Sequence, residues 1–350
     1  MPLKAAEIIS YPAFNTVEWE LPPTKKGYTE VAKERAGGPI KLYYEIHGQG
    51  DVKLVWIMGL GAFRTAWKRQ TKYFGHDRSS RYSCLILDNR GMGLSDKPSC
   101  RYSTSEMARD VIELLQVAGW LPSPLPSSTA STNPSPPSRA LHVIGISMGG
   151  MIAQELSLLI PDYIASLALI STAPRLVRTI PFIENLRNRI NMFVPRDIDV
   201  QLDEIAHRLF SDEWLAQEDT ENEDPTKNFP TNRDRFAAGE LQKRMDKAGF
   251  TRKGFTLQAI AAGWHYKSAD AIKRIGDVVG RERICVVHGT QDRMIDFHHF
   301  GMLRDQLGGE AGGAHFEVWE GKGHVLVWEV ESEFNAFLEG WFEKCEPMAR

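Results

Sequence analysis

Residues 140–160, ALHVIGISMGGMIAQELSLLI, admit few folds. An apolar run, 141–146, overlaps Gly145-Ile146-Ser147-Met148-Gly149-Gly150, and an amphipathic helical pattern follows. Strand, tight turn and helix form the setting in which Gly-x-Ser-x-Gly lifts a serine hydroxyl above the end of a sheet. Such a turn brings neighbouring backbones into near contact. The positions two before and two after the serine must therefore be tiny, and both are glycine, Gly145 and Gly149. The turn also directs the N–H of Met148, at the start of the helix, towards the space above Ser147, where negative charge is stabilised.

The rest of the chain repeats this alternation. Continuous apolar runs at 53–58 and 82–87 read as strands covered on both faces, and further strands are read at 166–170, 283–288 and, last, 315–319. Strand candidates at 28–31 and 41–47 flank Gly37-Gly38-Pro39, which predicts an antiparallel hairpin. Helical patterns fall at 65–74 (carrying Trp67), 103–118 (capped by Ser103 or Ser105), 269–275, 297–307 and 325–345. This order specifies an α/β fold: a mostly parallel sheet with helices on both faces. Between 174 and 266 the strand-like runs vanish. Helical segments at 182–194, 203–210 and 236–248, with an acidic stretch at 217–231, replace them, and we expect an inserted helical cap. The expected organisation is an N-terminal extension at 1–26, a core at 27–173 and 267–350, and the cap at 174–266. Residues 122–139, almost all Pro, Ser and Thr, are expected to be a flexible solvated insertion.

Composition narrows the partners. The 350 residues are 42% hydrophobic and 25% charged with a net charge of −3, and no basic stripe or tail suits nucleic acid. Cys84, Cys100, Cys285 and Cys345 lack metal-ligand spacing, so we expect no metal site and a reducing compartment. No stretch approaches 18 apolar residues and the N-terminus lacks a signal-peptide pattern, which makes the cytoplasm the expected location and a membrane span unexpected. Gly59-Leu60-Gly61 and Gly91-Met92-Gly93 fit no phosphate-loop pattern, so we expect no nucleotide and no cofactor. A small-molecule substrate is the expected partner, and both a monomer and a homodimer fit the sequence.

Ligands of such sheets bind at the carboxyl ends of the strands. Ser147, Asp292, His324 and the Gly59-Leu60-Gly61 turn all fall just past predicted strand ends. A serine hydroxyl needs an adjacent base, which histidine supplies, and the histidine needs a carboxylate to fix its tautomer. Asp292, four residues beyond its apolar run, is favoured over Asp296. His324, in a Gly-x-Gly-His turn after the last strand, is favoured over His288, read as a strand-end residue, and His265, read as a cap or pocket residue. An oxyanion hole needs two N–H donors: Met148 supplies one, and Leu60 or Gly61 the other. Asp88 and Arg90 read as structural, pairing to hold their loop near the serine.

Five motifs in order then carry a family resemblance over residues 27–345: Met58-Gly59-Leu60-Gly61, Asp88-Asn89-Arg90-Gly91-Met92-Gly93-Leu94-Ser95, Gly145-Ile146-Ser147-Met148-Gly149-Gly150, His288-Gly289-Thr290-Gln291-Asp292 and Gly321-Lys322-Gly323-His324. The chain resembles α/β-hydrolase-fold proteins, whose serine, acid and histidine follow this order. The resemblance implies eight strands with a helical cap after the sixth, and Ser147 as nucleophile, Asp292 as acid and His324 as base. Members similar to it include carboxylesterases, lactone and enol-lactone hydrolases, C–C bond hydrolases and cofactor-free perhydrolases. Members that open epoxides or remove halides carry aspartate where this chain has Ser147. The implied activity is hydrolysis of an ester or lactone of an apolar small molecule through an acyl-enzyme on Ser147. The expected pocket is Phe63, Trp67, Met151, Trp264, Met294 and Val325. C–C bond hydrolysis or acyl transfer on the same residues is the alternative among enzymes, and a ligand-binding protein on a hydrolase scaffold the alternative outside them.

Overall fold

The computed structural model describes residues 2–18, 21–35, 37–125, 139–179, 190 and 196–349. Eight strands form one sheet: β1 (Lys25–Val31), β2 (Ile40–Gly48), β3 (Val52–Ile57), β4 (Tyr82–Leu87), β5 (Leu141–Ile146), β6 (Ile164–Ile170), β7 (Ile284–Gly289) and β8 (His315–Trp319). Their spatial order is β1-β2-β4-β3-β5-β6-β7-β8. The pairs β1–β2 and β2–β4 are antiparallel and the others parallel. The expected hairpin is present, with Val31 opposite Ile40.

Alternate residues of each central strand feed two cores. In β3, Val55 and Ile57 join one core, packed beneath the helices Thr104–Val117, Met148–Leu159 and Ala269–Val279. Leu54 and Trp56 join the other, with Trp67, Phe74 and, from the helix Glu331–Cys345, Phe334, Leu338 and Phe342. Both faces are thus covered, which is why the strands read as unbroken apolar runs. Ser103 is the cap of the first helix, accepting from the Glu106 N–H at 3.1 Å.

Departures from the expected elements are local. The segment 64–76 is helical but changes pitch, from a tight turn (Arg64–Trp67) through Lys68–Gln70 to a wide turn (Thr71–His76). The closing helix is broken at Val330 (φ −133°, ψ 49°) into Leu326–Glu329 and Glu331–Cys345, and the Glu329 side chain turns back to bind backbone elsewhere. Between β6 and the helix before β7 the described residues are helical: Ile198–Leu209, Asp212–Ala216, Asn232–Met245 and Arg252–Gly263. Asp197 and Thr231 cap the first and third of these upstream of where apolar spacing begins. The helix expected at 182–194, apart from residue 190, and residues 126–138 of the Pro/Ser-rich insertion lie outside the described residues. The N-terminal segment, which shows no period in sequence, contains the helix Ala5–Ser10. Ala5, Ile8, Phe14 and Val17 share a core with Leu202, Ala237 and Leu241 of the helices Ile198–Leu209 and Asn232–Met245 and with Phe229 of the loop between them. No helix among the described residues is long and apolar enough to cross a membrane.

Candidate active site

Ser147 follows β5 and precedes the helix Met148–Leu159, with φ 58° and ψ −124°. A left-handed serine costs about 1–3 kcal/mol and persists only where its surroundings hold it. Here the Ser147 N–H donates to the Ile170 carbonyl at 2.9 Å, and the Thr172 hydroxyl donates to the Ser147 carbonyl at 2.7 Å. The glycines are required by contact. A Cβ on Gly145 would lie 2.4 Å from the Gly149 carbonyl oxygen, and one on Gly149 would lie 2.1 Å from that of Ile57. A Cβ on Gly59 would lie 3.0 Å from Ser147 Cβ and 3.5 Å from its Oγ, which places the Gly59-Leu60-Gly61 turn directly beside the hydroxyl.

Asp292 follows β7 and is buried. One carboxylate oxygen accepts from the N–H groups of Met294 and Ile295, both at 2.8 Å. The other lies 2.7 Å from His324 Nδ1 and 3.1 Å from His288 Nε2. Burial opposes ionisation of Asp292, but His324 and the hydrogen bonds from both histidines outweigh it and hold the carboxyl well below the usual range. Each histidine nitrogen facing this carboxylate must carry a proton. At His288 the same Nε2 is 2.8 Å from the Ile295 carbonyl, a second acceptor that fixes the same tautomer. At His324, Nε2 is left without a partner among the described residues. Asp296 does something else: its carboxylate accepts from the His298 N–H at 2.8 Å, at the start of the next helix.

Ser147 and His324 line one cavity of about 1310 Å³, together with Leu60 and Met148; no hydrogen bond joins Ser147 directly to His324. The amides of Leu60 and Met148 have no partner among the described residues. The Gly61 N–H donates to the Gln258 side-chain carbonyl at 2.9 Å, so of the two loop amides considered from sequence only Leu60 is open. Phe63, Met151, Met294 and Val325 line the cavity as expected. Trp67 and Trp264 do not. Trp67 is fully buried against Trp56, with ring centroids 4.9 Å apart, and Trp264 is 68% exposed beneath the Arg101 guanidinium. Charged side chains line the cavity too, among them Glu45, Arg64, Lys68 and Arg235, and an apolar reading of the pocket omits them.

Other sequence expectations are corrected by their partners. Asp88 and Arg90 do not pair with each other. Asp88 binds Arg64 at 2.9 Å, and Arg90 binds the buried Asp110 at 2.5 Å. His265 lies off the cavity, buried between Thr104 and Gln154, and burial pushes it down to about 3. Two further residues were not marked by any motif. Buried Gln258, on the helix Arg252–Gly263, accepts from Gly61 and donates to the Arg90 carbonyl at 2.9 Å, tying two loops together. Glu329 accepts from the N–H groups of Gly323 at 2.9 Å and Ser211 at 3.0 Å, tying the His324 loop to the start of the helix Asp212–Ala216. Both are tertiary partners of backbone groups, and no local pattern announces them.

A family model described as the alpha/beta hydrolase family matches residues 46–337. Among curated proteins, RutD of Azorhizobium caulinodans, whose name assigns it carbamate hydrolysis, is 30% identical over 135 residues, 39% of this chain and 42% of that one. 3-Oxoadipate enol-lactonase 2 of Acinetobacter baylyi is 28% identical over 138 residues, 39% of this chain and 43% of that one. The chain thus spans less than half the length of either relative. Among solved structures, Est816, described as an N-acyl homoserine lactone degrading enzyme, superposes with a TM-score of 0.64 at 21% identity, covering 90% of this chain and 99% of that one.

Proposed function

The chain belongs to the alpha/beta hydrolase family, and from that premise we propose that it hydrolyses a carboxylic ester or lactone through an acyl-enzyme on Ser147, beneath a cap formed by the helices between β6 and β7. One observation carries the reading: a left-handed serine and a histidine hydrogen-bonded to a buried carboxylate line the same cavity. The enol-lactonase and the N-acyl homoserine lactone degrading enzyme among the similar proteins support an acyl substrate.

In this reading the Nε2 of His324 takes the Ser147 proton as Oγ bonds to the substrate carbonyl carbon. The carbonyl electron pair moves onto oxygen, and the amides of Leu60 and Met148 hold the oxyanion. The Met148 amide opens a helix of 12 residues, so the helix dipole adds to its donor strength. As the intermediate collapses, the C–O bond to the alcohol breaks and His324 returns the proton to the leaving oxygen. Water then repeats the sequence on the acyl-enzyme, giving the acid and free Ser147. Asp292 keeps Nδ1 protonated, which leaves the Nε2 lone pair for the serine, and it stabilises the imidazolium when that forms. Direct contact between serine and histidine is supplied as substrate closes the site.

A fluorophosphonate probe tests the reading. Wild-type protein is labelled on Ser147, and Ser147→Ala is not. Unlabelled wild type, or equal labelling of the variant, refutes it.

A further inference from the structure

The N-terminal segment lies outside the residues matched by the family model, yet it forms one side of the cavity. Phe14, Val17 and Leu21 line it alongside Gly239 of the helix Asn232–Met245. The contact is close: a Cβ on Gly239 would meet Val17 Cγ1 at 3.4 Å. The segment is fastened at both ends. Towards the inserted helices, the Leu3 N–H donates to Asp234 at 3.0 Å, the Ala5 N–H to Asp199 at 2.7 Å, and Gln242 Nε2 to the Phe14 carbonyl at 2.6 Å, while Tyr11 stacks on Phe229 at 5.0 Å. Towards the sheet, Lys68 Nζ donates to the Val17 carbonyl at 2.8 Å, and the Thr24 N–H to the Ile46 carbonyl at 2.8 Å. Ile8, Ala13, Phe14 and Val17 are buried. A loose tail would satisfy none of these contacts.

Resting on the ester-hydrolase reading above, we propose that Phe14 and Val17 are specificity-determining residues, a fixed apolar wall that sets how long a hydrocarbon chain the substrate can carry. The chemistry is plain burial. An alkyl chain that grows towards this wall gains apolar contact with each methylene until it meets Val17 and Phe14, and beyond that length it must displace a packed core. The wall and the reaction site line the same cavity. The family-matched residues therefore supply the chemistry, while residues before them limit the substrate.

The test is a pair of opposed substitutions. Val17→Ala lengthens the cavity and Val17→Phe shortens it. The ratio of kcat/KM for p-nitrophenyl octanoate over p-nitrophenyl butyrate rises about tenfold in the first and falls about tenfold in the second, the effect of methylenes admitted to or refused by an apolar pocket. Simple destabilisation moves both variants the same way, so opposite shifts identify a wall. Fluorophosphonate labelling checks that each variant has an assembled site. Calorimetric titration with butyrate and octanoate gives the same length preference without turnover. If wild type neither labels nor hydrolyses esters while binding preference shifts in opposite directions, the serine chemistry falls and the wall stands. If folded variants keep the wild-type ratios within about twofold in both assays, the wall is refuted.

Discussion

Replacing Asp292 by asparagine isolates the electronic role of one carboxylate. Its two oxygens are not equivalent. One accepts two backbone N–H groups at 2.8 Å, and the other faces His324 Nδ1 at 2.7 Å and His288 Nε2 at 3.1 Å. The amide orients itself accordingly. With its oxygen on the backbone side it keeps both of those bonds. Reversed, it sets an NH2 against two buried N–H donors, at about 1–3 kcal/mol for each group left unsatisfied. The NH2 therefore points at the two histidines: His288 keeps its Nε2 proton on the Ile295 carbonyl, whereas His324 Nδ1 must become the acceptor and its ring proton moves to Nε2. That tautomer cannot take a proton from Ser147. The expected loss in kcat is about 10⁴-fold, or about 5.4 kcal/mol on the barrier, for an imidazole locked in the wrong tautomer. Loss of the charge-assisted bonds costs about 2–3 kcal/mol of stability, which a thermal melt reads separately. The assay is the steady-state rate on an activated ester together with the fluorophosphonate labelling rate, each made with folded protein. A folded Asp292→Asn variant retaining more than about a tenth of wild-type kcat, a barrier change under about 1.4 kcal/mol, refutes the assignment.

Two further predictions concern stability. Gly149→Ala places a methyl 2.1 Å from the Ile57 carbonyl, so it costs about 3 kcal/mol or more in chemical denaturation, whereas Gly340→Ala, where a Cβ meets nothing within 4 Å, stabilises by about 0.5–1 kcal/mol. Buried His142 and His265 are both pushed down by desolvation to about 3. They stay neutral in the folded protein but bind protons when unfolded, so stability falls as pH drops below about 6.5. From pH 7 to pH 5 the loss is about 2 kcal/mol per histidine, or about 4 kcal/mol together. Urea midpoints at the two pH values check this, and a midpoint that is unchanged or rises on acidification refutes it.

The sheet was legible because its central strands are buried on both faces and so read as unbroken apolar runs, and because each glycine-rich turn follows directly on one. Asp292 and His324 were legible for the same reason: strand ends place them on one edge of the sheet, 2.7 Å apart across 32 residues of sequence. The walls of the cavity were legible only in part: Phe63, Met151, Met294 and Val325 line it. Trp67 and Trp264 are both aromatic and both near the right loops, yet one fills the core and the other lies on the surface. Nothing in local sequence distinguishes a ring that faces a cavity from one that faces a neighbouring helix. Partner choice among charges is equally a tertiary matter. Asp88 and Arg90, two residues apart, take Arg64 and Asp110 in preference to each other. Residues 1–26 read as an extension lying over the domain, but their helix Ala5–Ser10 and its partners escaped, because the apolar residues have no period of their own and pack against residues some 200 positions away.

Gln258 and Glu329 have a consequence for engineering. The first fastens the Gly61 turn from the helix Arg252–Gly263, and the second fastens the His324 loop to Ser211, which precedes the helix Asp212–Ala216. The helices between 198 and 263 thus form a keystone in the mechanical sense: two loops that line the cavity are pinned through it. Excising it to make room for bulkier molecules would remove the anchors along with the obstruction, and hydrogen exchange at Gly61 and Gly323 would accelerate together. A broader-range catalyst is better sought by recontouring individual side chains while both anchors stay in place.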